Sequence, residues 1–428
     1  MSTAPARDER SGWFPASAAT SSSALLLGLL LVGSVVLMGH VGEGNRFDSL
    51  GGSRFFGGGR TEGDPCMNRR GSKEPTPVND ARLALVTGGA GFIGSNLVEL
   101  LLELGFRVRV FDNLSTGFRS YVPADDPRVE FVEGDVRDYA EVEKAVMDVA
   151  VVFHLAAMSK VAPSLKDPSM VNFCIENNVV GTDNVLRASL AAKVGKVVYA
   201  ASSTYYGNQP VPFAEDLPMT VSSPYAQTKY EGELLMNLYN ELYKLPTVNC
   251  RFFMVYGPRQ PSEGPYAIVT GVFLKQRESG KPLTIEGDGS HFRDFIHVSD
   301  VARGLVMAYQ NPEARGMTIN LGSGSAVSVK EVADMVSAEQ VHLPERPNDL
   351  VGTLANTCVA KSVLGFETRE DFRTTMKKHV DEVLAKGEGS GGGVEGGGEA
   401  IAPGGWGGGG VEGGGEAIAL GGPATAAA

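Results

Sequence analysis

Tyr225 stands four residues before Lys229 in the stretch SSPYAQTKYEG, residues 222–232. On a helix, positions four apart share a face. A phenol beside an ammonium is a proton-transfer pair, because a free tyrosine titrates near about 10 and a neighbouring cation favours its phenolate. Ser223 and Pro224 read as the N-cap and first residue of such a helix. The spacing alone decides little, since short motifs recur by chance and the same quartet also opens ordinary amphipathic helices. A second constellation lies upstream, in VTGGAGFIGSN. Gly88, Gly91 and Gly94 recur every three residues, and residues 89–94 also fit G-x-G-x-x-G. Glycines there allow a sharp turn and a close approach of main chain to a pyrophosphate at a helix N-terminus. Asp112 ends the next apolar run, 18 residues past Gly94. A carboxylate there accepts hydrogen bonds from the adenosine ribose and repels a 2′-phosphate, which favours NAD over NADP.

The elements that must position these groups follow from the pattern around them. Short apolar runs, RLALVTG, RVRVFDN, VEFVEG, VAVVFHLAA, KVVYAASS and TVNCRFF, are separated by helix-like stretches. Strands alternating with helices imply an α/β fold with a doubly wound parallel sheet. Ligands of such sheets lie at the carboxyl ends of the strands. Phe92 and Ile93 in the glycine loop, Asn113 beside Asp112, and Asp135 and Val136 after the third strand are therefore assigned to the dinucleotide. His154, after the fourth strand, reads as a packed histidine rather than a catalytic one. Past residue 255 the pattern is less regular, as expected for a smaller C-terminal lobe on the sheet's open edge.

The remainder of the chain is bounded by composition. Of 428 residues, 55 are glycine, gathered at the two ends, and the net charge is −12. That charge argues against nucleic acid as a partner. Cys66, Cys174, Cys250 and Cys358 are scattered, without CxxC or ligand-like histidine spacing, so neither structural zinc nor a disulfide framework is expected. Ala24–Val41 is uncharged and mostly apolar, at the short end of a membrane-spanning helix. It reads as a single-pass signal-anchor in the Golgi or another endomembrane; a cleaved secretory signal peptide and a plastid-type targeting sequence are the alternatives. Residues 1–23 form a tail and 42–79 a glycine-rich stem. GGGVEGGGEAIA occurs at 391–402 and again at 408–419, and the stretch 387–428 is too poor in apolar side chains to fold. The ordered region is 80–386, divided near residue 255.

Within that region the chain resembles the extended short-chain dehydrogenase/reductases, in particular the NAD-dependent nucleotide-sugar epimerases and dehydratases. The motifs TGGAGFIGS, DNLSTG, GDVRD, HLAA, NNVVGT, SSTYYG, YAQTK, RFFMVYGPRQ, GDGSHFRDFIHV and RPND occur in the family's order over roughly residues 82–370. The resemblance implies a Rossmann-type domain binding NAD, a smaller α/β lobe binding a nucleoside-diphosphate sugar such as a UDP-sugar, and a homodimer. It gives Tyr225 the role of catalytic base, Lys229 that of its partner and holder of the nicotinamide ribose, and Ser202 that of a hydroxyl bonded to the sugar. Thr204, Asn178, Arg293, Arg346 and Thr353 fall at substrate positions, the arginines on the diphosphate and Thr353 where a small residue admits a 2-acetamido group.

Sugar 4,6-dehydratases of this family carry an Asp-Glu pair after the position of Ser202, and decarboxylases a Glu. Here Ser203 and Thr204 stand instead, and neither is a carboxylate acid. The resemblance thus favours a 4-epimerase of a UDP-hexose or UDP-N-acetylhexosamine. A dehydratase, decarboxylase or reductase of the same family, and a catalytically silent NAD-binding scaffold, are the alternatives. Two features depart from the pattern. Met254 replaces the family's substrate-contacting Asn, and SAEQVHLPE, before RPND, is so short that one lobe strand is expected to be missing.

Overall fold

A computed structural model describes residues 73–159, 161–262, 267–345 and 350–389. The expected tail, anchor and stem segments before residue 73, the glycine-rich repeat and Arg346 lie outside the described residues. Strands β1 (Leu83–Thr87), β2 (Arg107–Asp112), β3 (Val129–Glu133), β4 (Val151–His154), β5 (Lys196–Ser202) and β6 (Thr247–Phe252) coincide with the six apolar runs. They are followed by β7 (Met254–Tyr256), β8 (Leu283–Glu286), β9 (Phe292–His297), β10 (Thr318–Leu321), β11 (Ala326–Ser328) and β12 (Gln340–Leu343). The main sheet has seven strands, all parallel, in the order β3-β2-β1-β4-β5-β6-β10. β1, β4, β5 and β6 are buried on both faces, which is why β1 and β4 read as apolar runs without alternation.

The helices of the described residues are α1 (Phe92–Glu103), α2 (Tyr139–Ala145), α3 (Val161–Lys166), α4 (Ser169–Ile175), α5 (Gly181–Ala191), α6 (Pro224–Leu242), α7 (Val269–Glu278), α8 (Val298–Gln310), α9 (Val329–Val336) and α10 (Phe372–Gly389). Leu97, Val98 and Leu101 of α1 and Val301, Leu305 and Val306 of α8 cover one face of the sheet. Val142 of α2, Val185 and Leu186 of α5, and Met236 and Tyr239 of α6 cover the other.

The stretch after residue 256 is shared between two cores. Strand β10 and helix α8 return to the main sheet. The rest builds a lobe around Phe273, Ile285, Phe295, Val332, Phe372 and Met376, in which the Phe295 and Phe372 rings stack at 4.3 Å. Its sheets are β11-β9-β7 and β12-β8. The lobe strand expected to be missing is present: Gln340–Leu343 pairs in parallel with β8. Four residues of QVHL suffice for a short edge strand, and the brevity of the segment costs only the loop. Cys174 and Cys250 are buried free thiols. Cys358 is disulfide-bonded, a single bridge rather than a framework of them. Among the described residues no helix is long and apolar enough to cross a membrane.

Candidate active site

The glycine loop joins β1 to α1 at the point where the strand order reverses, between β1 and β4. Gly88 has φ +70°, and a Cβ at Gly94 would lie 2.1 Å from the Gly88 carbonyl oxygen. The turn therefore closes only on glycine, and it leaves a cradle that a side chain would fill. Helix α1 starts on Gly91 with no side-chain cap, so its first-turn N–H groups face outward as an anion site. Asp112, at the end of β2, accepts from the Ala90 amide at 2.9 Å and from the Leu114 amide at 2.8 Å. Burial raises its pKa, and these two amides pull it back. A cavity of about 540 Å3 opens over the loop, lined by Gly88, Gly91, Phe92, Ile93, Gly94, Asp112, Asn113 and Val136. Asp135 is not among its lining residues. Its carboxylate binds Arg137 at 2.7 Å and the Asn113 amide at 3.0 Å; burial raises its pKa, but Arg137 and the other donors outweigh that and leave it lowered.

Tyr225 and Lys229 line the same cavity. Both project from the first turns of α6, which Ser223 caps by accepting the Ala226 amide at 3.1 Å, with Pro224 at the first helical position. Lys229 is 3% exposed, and its Nζ sits 4.1 Å from the centre of the Tyr199 ring. Burial brings its pKa down to about 7, so the ammonium holds its proton loosely. Burial raises the Tyr225 phenol, and a hydrogen bond with Ser202 works against the rise. Ser202 ends β5, its Oγ 2.9 Å from Thr204 Oγ1 and accepting the Thr204 amide at 3.2 Å. Tyr225 and Lys229 thus line the cavity together with the glycine loop and Asp112, while Ser202 and Thr204 bond to each other just past the lining residues Ala200 and Ala201.

Other expected contacts are arranged differently. Asn178 is fully buried, and its amide is consumed inside the protein. It accepts the Met158 amide at 2.8 Å and donates to the Met158 carbonyl at 3.0 Å and to Thr228 Oγ1 at 2.9 Å. It ties the segment after β4 to α6 instead of facing the cavity. Arg293 and Thr353 lie side by side in the lobe. Arg293 donates to the Phe292 carbonyl at 2.9 Å, and Thr353 donates its amide to that same carbonyl at 3.1 Å. Neither lines the cavity. Met254 packs against the lobe core, the place where its apolar chain is stable. His154 is buried between Thr87 Oγ1 at 2.8 Å and Thr182 Oγ1 at 3.0 Å. Burial, then the Lys229 charge, brings its pKa down to about 3, and it stays neutral as a packed histidine.

Sequence reading missed the layer beneath the site. Arg251 of β6 and Glu233 of α6 form a buried ion pair, joined by the hydroxyl of Tyr205. Two signals were available: Arg251 interrupts the apolar run TVNCRFF, and Glu233 continues the spacing of four begun by Tyr225 and Lys229.

A parallel sheet with a glycine-built dinucleotide cradle and a Tyr/Lys pair facing it defines a nicotinamide-dependent enzyme of the doubly wound class. Comparison with known proteins narrows the class. Residues 84–322 match the NAD dependent epimerase/dehydratase family. UDP-glucose 4-epimerase of Mycolicibacterium smegmatis is 36% identical over 309 residues, covering 69% of this chain and 97% of the relative. Among solved structures, UDP-N-acetylglucosamine 4-epimerase of Methanobrevibacter ruminantium, in complex with UDP-N-acetylmuramic acid, superposes with a TM-score of 0.66 at 30% identity, covering 71% and 99% of the two chains. UDP-glucose 4-epimerase of Thermus thermophilus, in complex with NAD, does so with a TM-score of 0.64 at 33% identity and the same coverage. The chain belongs to the NAD dependent epimerase/dehydratase family.

Proposed function

We propose that this protein is an NAD-dependent nucleotide-sugar 4-epimerase acting on a UDP-hexose or UDP-N-acetylhexosamine. The observation that carries the reading is that Tyr225 and Lys229 line the cavity that the glycine cradle and Asp112 also line, with Ser202 bonded to Tyr225. The cradle and the Asp112 carboxylate fit NAD, which when bound supplies reversible hydride transfer. Ser202 orients the sugar 4-hydroxyl toward Tyr225, which takes its proton. Lys229 lies on the same face of α6 and holds positive charge beside the phenolate. Tyr225 returns a proton once the 4-keto sugar has presented its other face. Ser203 and Thr204 offer hydroxyls where elimination or decarboxylation needs a carboxylate, so the sequence ends at epimerisation. The Arg293–Thr353 corner and Arg346 are assigned to the diphosphate and sugar end, and Asp135 and Asn178 act as supports of the site.

Incubating the full chain and NAD with UDP-glucose, UDP-N-acetylglucosamine, UDP-glucuronate and UDP-xylose, followed by proton NMR, tests the reading. The expected product is the C4 epimer of one substrate. Accumulation of a free 4-keto or pentose product would replace it with the dehydratase or decarboxylase reading.

We also infer a homodimer and an endomembrane anchor. The first is supported by Leu234, Leu238 and Leu242, 43–60% exposed and spaced by four along α6. The second is supported by the apolar segment Ala24–Val41, and imaging of a fluorescent fusion of residues 1–60 checks it.

A further inference from the structure

Tyr225, Lys229 and Glu233 follow one another at spacings of four on α6. The first two face the cavity. The third faces inward and is 3% exposed, paired with Arg251, itself 4% exposed on its side chain. Arg251 grips the carboxylate with both arms of its fork, Nη2 to Oε1 at 2.6 Å and Nε to Oε2 at 3.0 Å. Thr318 adds a bond to Oε1 at 3.3 Å, and the Tyr205 hydroxyl donates to Oε2. The oxygen of that hydroxyl in turn accepts the backbone N–H of Ser202 at 3.4 Å. Arg251 also donates to the Tyr206 hydroxyl at 2.6 Å and to the Glu215 carbonyl at 3.0 Å.

A buried ion pair contributes little net stability, because removing two charges from water offsets their attraction, and apolar residues of similar volume often do as well. What it does supply is direction. A bidentate fork fixes the distance and angle between the elements that carry it. Here the fork joins α6, which carries Tyr225, to β6, and the Tyr205 hydroxyl extends the link to the end of β5, which carries Ser202.

We propose that the Glu233–Arg251 pair, acting through the Tyr205 hydroxyl, is a positioning device that sets the roll of α6 against the β5 turn and so keeps Ser202 within bonding reach of Tyr225. None of the three side chains lines the cavity, so they are positioning rather than catalytic residues. The proposal rests on the role assigned above to Tyr225. Its consequence is chemical as well as geometric. The Ser202 bond favours the Tyr225 phenolate, so a turn that drifts lets the phenol's pKa climb. The acid limb of the pH–rate profile then moves toward higher pH.

The test uses the full-length chain with NAD and its UDP-sugar. Tyr205→Phe removes one oxygen and is the mildest break; Glu233→Gln keeps the shape of the carboxylate and removes its charge. Both are expected to lower kcat by about ten- to a hundredfold at neutral pH. The acid limb of kcat should shift upward, with part of the rate recovered at higher pH. NAD affinity, read by fluorescence titration, should stay within about twofold. An unchanged kcat, or a loss of kcat with an unshifted acid limb, in Tyr205→Phe overturns the proposal. Tyr225→Phe serves as the reference: if it remains active the underlying assignment fails, whereas an inactive Tyr225→Phe beside an unaffected Tyr205→Phe sinks the positioning role alone.

Discussion

At the scale of single residues, the site sets two charged forms against burial. Lys229 is drawn down to about 7 and Tyr225 is raised, so each alone prefers to be neutral. The two shifts move the groups apart, so ionising the phenol depends on the hydrogen bond from Ser202 that works against the rise. Replacing Tyr225 with Phe leaves the ring and its packing and removes the only atom that can move the proton of the sugar hydroxyl. Turnover should fall by about 10²–10⁴-fold with NAD still bound, as read by the NMR assay and by fluorescence of the bound cofactor. Glu215 makes a separate prediction. Burial raises it to about 7 from an ordinary 4.5, against the Asn320 amide that pulls it back. A raised value means that the folded state holds the extra proton, so this contribution is complete below about 4.5 and is lost as pH rises through 7. Glu215→Gln should flatten the fall in Tm between those limits, measured by thermal melts across pH. The turn at Gly88 and Gly94 and the placing of Asp112, Tyr225 and Lys229 on one cavity were legible because each has its signature within a few residues. The internal partners of Asn178 and Asp135, Met158 with Thr228 and Arg137, were not legible, because they are set by tertiary approach that spacing does not reveal.

At the scale of elements, caps and hubs join the layers. Lys196 enters β5 and donates to the carbonyls of Ala308, Tyr309 and Asn311 at 3.1, 2.8 and 2.8 Å, closing the C-terminal end of α8 where a positive charge is favoured. Lys196→Met should destabilise the fold by about 1–3 kcal/mol through those unpaired carbonyls, and denaturant melts will show it. Asp294 does the same between lobe and sheet. From β9 it accepts the amides of Ser323, Gly324 and Ala355 at 2.7, 2.9 and 2.9 Å. The existence of every strand from β1 to β6 could be read from short, mostly apolar runs, even where a charged residue such as Arg109 or Arg251 interrupts them. Strand β12 could not, since QVHL carries two polar residues and only one edge to pair, and its partner β8 lies more than fifty residues away.

At the scale of the whole molecule, the alternation of strands and helices foretold a doubly wound sheet, but not that the chain leaves it and comes back. TINL of β10 is a short run like those of the lobe. Only its pairing with β6, from Thr318↔Asn249 to Leu321↔Phe252, puts it in the main sheet. The lobe is therefore built from two stretches, β7 to β9 before β10 and β11 to α10 after it, with α8 crossing back to cover the face it shares with α1.

That late return to the main sheet bears on how the protein is made. During synthesis β6 emerges first and waits, its edge unpaired, while the first stretch of the lobe and α8 precede β10 from the ribosome. An apolar parallel edge left open is a template for pairing with another chain. A truncation ending at residue 256 should consequently form inclusion bodies or bind a chaperone, whereas one ending at residue 389 should be recovered in the supernatant, as pulse-chase solubility assays will report. The dinucleotide half is thus not an independent module that acquired a lobe, but a product that reaches its final form only when the late-arriving strand is in place.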